Sequence, residues 1–174
     1  MGLIQSPKET QQLALEANPN DEVYLVPAFT GLGAPYWNSD ARAMIYGMSR
    51  TTGRKEIVKA AVESIAYQIA DIVNMIRDDE EMDVKELCVD GGPTGNGYLM
   101  KFQSDILGLT VTLPRCEESS AQGAAFMAGL CCGFYTMETI EARGERTRYY
   151  PSMDEQERVR KYQGWKTAVN KVLS

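Results

Sequence analysis

Asp90 to Gly97, reading DGGPTGNG, is the stretch with the clearest capacity for chemistry. It sets four glycines, one proline and one asparagine between the apolar run Leu87, Cys88, Val89 and a segment where Tyr98, Leu99, Phe102, Ile106 and Leu107 recur near helical spacing. That pattern predicts strand, turn, helix. Bare glycine backbone lets a ligand approach closely, and the N–H groups opening a helix favour anionic or acceptor atoms. In open α/β sheets small ligands bind at this edge, so a nucleotide is the first candidate ligand. A plain connection between strand and helix is the competing reading. Glycines at 91, 92, 95 and 97 do not fall as G-x-G-x-x-G, and no G-x-x-x-x-G-K-[ST] occurs, so neither the dinucleotide fingerprint nor a P-loop explains the turn.

Other reactive groups are few. The chain has no histidine, which removes Ser-His-Asp triads, Cys-His pairs and histidine-based zinc sites. Cys88, Cys116, Cys131 and Cys132 show no CxxC spacing, and the last two lie in an apolar run, so buried cytosolic thiols are expected rather than metal or redox roles. Glu63 sits inside a helical pattern beside Ser64. With no cation adjacent in sequence, a capping, hydrogen-bonding or exposed role is favoured over catalysis.

A formal charge of −6 and a pI near 4.8 argue against a nucleic-acid surface. No apolar run reaches the roughly 20 residues that span a bilayer, and no signal-peptide pattern opens the chain, so a cytoplasmic protein without membrane contact is expected. Its 174 residues suffice for one domain with a real core.

The elements that must position the turn follow from pattern. Ser6, Pro7 and Glu9 mark a helix start with Ser6 as N-cap, and the helix runs to about Ala17. A buried strand over Val23 to Val26 leads into the loop PAFTGLGAPYW, whose Phe29, Tyr36 and Trp37 either plug a core edge or face a ligand. A short strand over Ala43 to Tyr46 precedes the longest helix, from about Arg54 to Arg77. There Val58, Val62, Ile65, Ile69, Ile72 and Ile76 form one apolar stripe. The acidic run from Asp78 to Asp83 reads as a solvated loop.

After the glycine turn comes a strand over Leu109 to Leu113. A helix starting at Ser119 or Ser120 follows, whose Ala121, Gly123, Ala124, Ala125 and Ala128 suit tight packing or closure over a flat ligand. A polar stretch to Tyr150 leads to a last helix capped by Ser152 and Glu155, with Val159, Tyr162, Trp165, Val169 and Val172 as its docking side.

Several of these segments together resemble the FGGY carbohydrate kinases. VPAFTGLGAPYW from Val26 to Trp37, AMIYGMSRTTGRKEIVKAAVE from Ala43 to Glu63, and then ESIAYQ, VDGG, LMKFQSDILG and QGAAFMAGL occur in that family's order and spacing. The resemblance implies an α/β fold of actin-like (ribonuclease H-like) type, as the later part of the second domain of a two-domain kinase. Residues 1–22 would be an opening helix and linker, 23–150 the nucleotide-side core and 151–174 a docking helix. It also implies transfer of the γ-phosphoryl of ATP, with magnesium, to a polyol or sugar; the Val26 to Trp37 loop is similar to that of members acting on glycerol. By position, Gly91, Gly92 and Asn96 would line the adenosine end of ATP, with Asp90, Gly123 and Ala124 as further candidates. The family's catalytic aspartate in a GDQ-like motif and its GTG-like phosphate loop have no counterpart here. The chain is therefore expected to be inactive alone and to lack the catalytic and most magnesium-binding groups. Another FGGY kinase, or a non-catalytic actin-like nucleotide-binding module, is the alternative, and a homo-oligomer is open.

Overall fold

The computed structural model describes residues 2–80, 83–114, 119–141 and 146–174. Helix α1 spans Glu9–Glu16, strands β1 and β2 span Tyr24–Val26 and Met44–Tyr46, and helix α2 spans Arg54–Glu80. Strand β3 (Glu86–Cys88), a 3₁₀ turn (Gly92–Gly95), helix α3 (Gly97–Leu107) and strand β4 (Thr110–Pro114) follow. Helix α4 (Ser119–Cys131), helix α5 (Met137–Glu141), strand β5 (Arg146–Tyr149) and helix α6 (Glu155–Leu173) complete the chain.

Strands β1 and β2 pair antiparallel, with Leu25 opposite Ile45. The second sheet has the order β3-β4-β5: β3 and β4 run parallel, with Leu87 opposite Val111, and β5 returns antiparallel along β4. Parallel pairing requires a crossover, and α3 supplies it, so the glycine turn lies at the C-terminal end of β3.

The core joins α2, α3, β1, β4 and α6. Trp165, Val26, Val111 and Val169 are wholly buried, and the Trp165 ring stacks on Tyr67 at 5.3 Å and 7°. Asp71 sits inside this core. Its Oδ2 accepts from the Tyr36 hydroxyl and the Trp165 indole N–H, each at 2.8 Å, and its Oδ1 from the Tyr162 hydroxyl at 2.6 Å. One carboxylate thus ties the aromatic loop, α2 and α6 together. Burial and Asp71 push the Tyr36 phenol far above its ordinary range.

Several expectations are corrected. The α2 stripe is only partly core: Val58 and Val62 are buried, but Ile65 and Ile72 are 38% and 37% exposed, and the face that packs runs through Ala66, Tyr67, Ala70 and Val73. Small alanines there let Trp165 of α6 close on Tyr67, leaving Ile65 and Ile72 to one side. Helix α2 also runs on into the acidic stretch as far as Glu80, since no glycine or proline stops it; residues 81–82 lie outside the described residues.

Helix α6 is capped by Asp154, which accepts from Gln156 N, and not by Ser152. Ser152 instead gives its N–H to Asp105 and accepts from Lys101. α6 docks as expected, but Val159 is exposed. The stretch before Tyr150 contains α5 and the edge strand β5. Cys88, Cys131 and Cys132 are exposed free thiols rather than buried ones, because β3 turns Cys88 outward and α4 ends in solvent; Cys116 lies outside the described residues.

Candidate functional site

The glycine turn is built by hydrogen bonds that leave its backbone bare. Gly91 has φ +97°, a value that glycine adopts without a side-chain penalty, and its N–H donates to Asp90 Oδ1 at 2.7 Å. Thr94 closes the 3₁₀ turn by donating from N and from Oγ1 to Gly91 O at 3.0 and 2.7 Å. Pro93 lies in the first turn of this 3₁₀ helix, where its missing N–H would have had no helical partner. The donor lost to proline therefore costs the turn nothing.

Asn96 is the N-cap of α3: its Oδ1 accepts from Leu99 N at 3.1 Å, while its Nδ2 donates to Thr10 Oγ1 at 3.1 Å. One amide N–H and one oxygen lone pair remain for a ligand. Next to it, Gly97 N donates to Gln11 Oε1 at 2.7 Å, so α1 braces the turn from the other side.

A Cβ placed on Gly91, Gly92 or Gly95 would meet nothing within 4 Å. These glycines are not there to pack against this chain; they face open space. Gly92 has no positive φ, so its lack of a side chain answers to no backbone demand. The turn also forms one rim of an apolar trough of about 1010 Å³, floored by Leu25, Ile45, Ile57 and Ile65.

The structure brings Asp90, Gly91, Gly92 and Asn96 together in one turn. Gly123 and Ala124 lie apart from it in sequence, in the first half of α4, which follows β4 at the same end of the sheet. Both are exposed, as are Ala121, Ala125 and Ala128, so the tight packing read from the small residues is not made with the described residues of this chain. Only Gly129 is closely covered, by the Tyr135 ring.

Glu63 is a buried hydrogen-bonded carboxylate. It accepts from the Tyr98 hydroxyl at 2.5 Å, with Lys59 one turn back at 4.0 Å. Burial raises its pKa above the ordinary 4.5, against the opposing pull of Lys161, Lys59 and Tyr98. Inspection of sequence neighbours alone misses Lys59, since helical spacing rather than adjacency brings it close. In the aromatic loop, Tyr36 points inward to Asp71 while Phe29 and Trp37 are 76% and 80% exposed, so plug and exposed surface coexist. Among the described residues no group of three or more Asp, Glu, His or Cys could hold a metal ion, and no helix is long and apolar enough to cross a membrane.

A parallel strand pair with a glycine turn and crossover helix at its C-terminal end makes this an α/β domain, of the actin-like type by its structural neighbours. The chain belongs to the FGGY family of carbohydrate kinases: a profile of that family's C-terminal domain matches residues 2–132. Glycerol kinase from Streptococcus pyogenes is 43% identical over 171 residues, which is 96% of this chain and 34% of that protein. A crystal structure of Plasmodium falciparum glycerol kinase with ADP superposes with a TM-score of 0.91 at 35% identity, covering 99% of this chain and 35% of that one. Xylulose kinase from Lactobacillus acidophilus, at 20% identity, shares the fold with a TM-score of 0.75 over 94% of this chain and 34% of its own. The chain thus spans about a third of the length of the relatives it matches.

Proposed function

We propose that this chain is the C-terminal third of an ATP:glycerol 3-phosphotransferase and supplies the adenosine side of its nucleotide cleft. The observation that carries this reading is the turn itself. Gly91, Gly92 and Gly95 face open space, at the ligand edge of a fold that superposes at 0.91 on a glycerol kinase solved with ADP. Glycine backbone admits the flat nucleoside, and the spare N–H and lone pair of Asn96 supply one donor and one acceptor for it. Asp90 holds the turn through Gly91 N, and Gly123 and Ala124 stand at the same sheet end as a second, smaller-residue wall.

Among the described residues no group of three or more Asp, Glu, His or Cys could hold a metal ion, and on this reading the metal, the base for the attacking hydroxyl and the donors around the transferring phosphoryl group would belong to the preceding two-thirds found in relatives. Glycerol itself would be held mostly there, in a cytoplasmic enzyme. Residues 1–22, 23–150 and 151–174 then serve as opening segment, nucleotide-side core and docking helix.

Two measurements test this. The purified 174 residues are expected to form no glycerol phosphate from ATP and glycerol; turnover by them would overturn the division of labour. Calorimetry with ADP is expected to give weak binding that Gly92→Val and Asn96→Ala both reduce, since half of the cleft is absent. Equal heats in all three would make the turn a plain connection.

A further inference from the structure

We infer that a cavity framed by α1, α2, α3 and α6 is a binding site for a small oxyanion, a phosphate or carboxylate head on a short carbon stem, held by the ammonium groups of Lys59 and Lys161. The site is separate from the glycine turn and goes beyond the proposed function.

Helical spacing assembles the cavity. Lys59 and Glu63 stand one turn apart on α2, Glu157 and Lys161 one turn apart on α6, and Tyr98, Lys101, Phe102 and Asp105 follow one side of α3. None of these residues lines the apolar trough, which takes Leu99 from α3 and Ile57 and Ile65 from α2. The cavity measures about 270 Å³. That is below the roughly 300–1,000 Å³ of pockets that enclose drug-sized ligands, so a nucleoside is too large for it and a ligand of a few heavy atoms is not.

The balance of donors and acceptors inside the cavity sets the charge of its ligand. Its carboxylates are supplied with donors. Asp105 Oδ1 accepts from Lys101 Nζ at 2.5 Å and from the N–H groups of Ser152 and Met153 at 2.6 and 3.0 Å, and Glu63 Oε1 accepts from the Tyr98 hydroxyl. Glu157 is half exposed to water. The two ammonium groups are not supplied with acceptors. The Lys59 and Lys161 side chains are only 11% and 12% exposed, yet the carboxylate oxygens they approach, on Glu63 and Glu157, stand 4.0 and 3.9 Å away, beyond hydrogen-bond reach.

An ammonium carries three donors, and burying it without hydrogen bonds is costly. Burial accordingly pushes the Lys161 pKa down, against the pull of Glu63. Both lysines bear on that one carboxyl, which keeps them together, but burial raises the Glu63 pKa and Tyr98 already occupies its Oε1. An oxyanion in the cavity would offer acceptors to both lysines through charge-assisted bonds. Leu15, Phe102 and Met153 line the same space and suit a short carbon stem.

The test follows thermal unfolding of the 174-residue chain with inorganic phosphate or propionate, against sodium chloride at equal ionic strength. At least one of the two anions is expected to raise the unfolding temperature saturably, and the one that acts at lower concentration identifies the head group. Lys59→Met and Lys161→Met keep the stems and remove the charges, and each should weaken the affinity at least about tenfold. No saturable effect of either anion would overturn the inference. So would equal affinity in the methionine variants, since the anion would then lie elsewhere, at the glycine turn for one. A second measurement needs no variant: lysines of the unsubstituted chain are acetylated with acetic anhydride and mapped by peptide mass spectrometry. The anion is expected to slow modification of Lys59 and Lys161 at least about threefold while the exposed Lys8 and Lys171 react as before; unchanged rates at 59 and 161 would overturn the inference. Neither readout uses a nucleotide, so a chain that binds the anion but not ADP would uphold this site while refuting the nucleotide wall.

Discussion

Replacing Asp71 by alanine removes one acceptor from three donors on two elements, the aromatic loop and α6. The Tyr36 hydroxyl, the Tyr162 hydroxyl and the Trp165 N–H would all lose their partner, and Trp165 is wholly buried. A buried donor left unsatisfied costs about 1–3 kcal/mol. Trp165 incurs this fully, whereas the half-buried tyrosines regain part of it from water, so Asp71→Ala is expected to cost about 3–5 kcal/mol. For a domain with about 5–15 kcal/mol in total, that approaches unfolding.

Asp71→Asn separates geometry from charge. With its oxygen at the Oδ2 position the amide still accepts from Tyr36 and Trp165, and its NH₂ donates to the Tyr162 oxygen. All three contacts survive, and the cost is expected to be about 1–2 kcal/mol, for the weaker bonds of a neutral acceptor and the lost pairing with Lys166 at 3.8 Å. Urea unfolding followed by circular dichroism measures both variants, with an unchanged m-value required for the comparison. An alanine cost below about 1 kcal/mol, or an asparagine cost equal to it, would refute the reasoning.

Glu63→Gln keeps the acceptor for Tyr98 and removes a carboxyl whose folded pKa lies above the ordinary 4.5. A raised acid favours the folded state while protonated and loses that advantage as pH rises through the folded pKa. The glutamine variant should therefore gain stability relative to the parent from pH 4.5 upward, and a difference that stays flat or shrinks would contradict the burial argument. Gly47→Ala should destabilise more than Gly108→Ala. Both glycines have positive φ, worth about 1–2 kcal/mol, but a Cβ on Gly47 meets the Glu22 carbonyl oxygen at 2.6 Å, whereas at Gly108 it meets the movable Arg158 guanidinium. Thermal unfolding ranks the pair, and the reverse order would be decisive against it. Asn96→Ala should cost about 1 kcal/mol from the lost N-cap, whereas Thr10→Val, which keeps the cap and loses the bond from Asn96 and the exposed bond to Pro7 O, should cost less. Equal losses would mean that the cap contributes nothing.

The sequence made the strand–turn–helix unit at 86–107 legible because local signals agreed there: an apolar run, a glycine cluster and a helical stripe met in register with the fold. The edge strand β5 was not, since Arg146 and Arg148 alternate on a charged edge that pattern reads as loop. The α6 cap was misplaced because Ser152 and Asp154 are equally good cap residues, and the choice is made by Asp105 and Lys101, about fifty positions away in the chain. The Asp71 node was invisible for the same reason: its donors come from α6 and the aromatic loop. Exposure of Cys131, Cys132 and Ile65 escaped composition because apolar character says a side chain prefers burial, not that this chain provides the cover.

Gly92→Val offers the most direct test of the nucleotide wall, because nothing in this chain occupies the space its side chain would enter and its backbone needs no positive φ. Calorimetric titration of ADP into a chimera that joins the preceding two-thirds of the Streptococcus pyogenes relative to this chain, with and without this substitution, should show affinity reduced at least about tenfold at unchanged unfolding temperature. Equal affinity would place the nucleotide elsewhere and contradict the assignment of the turn as the adenosine wall.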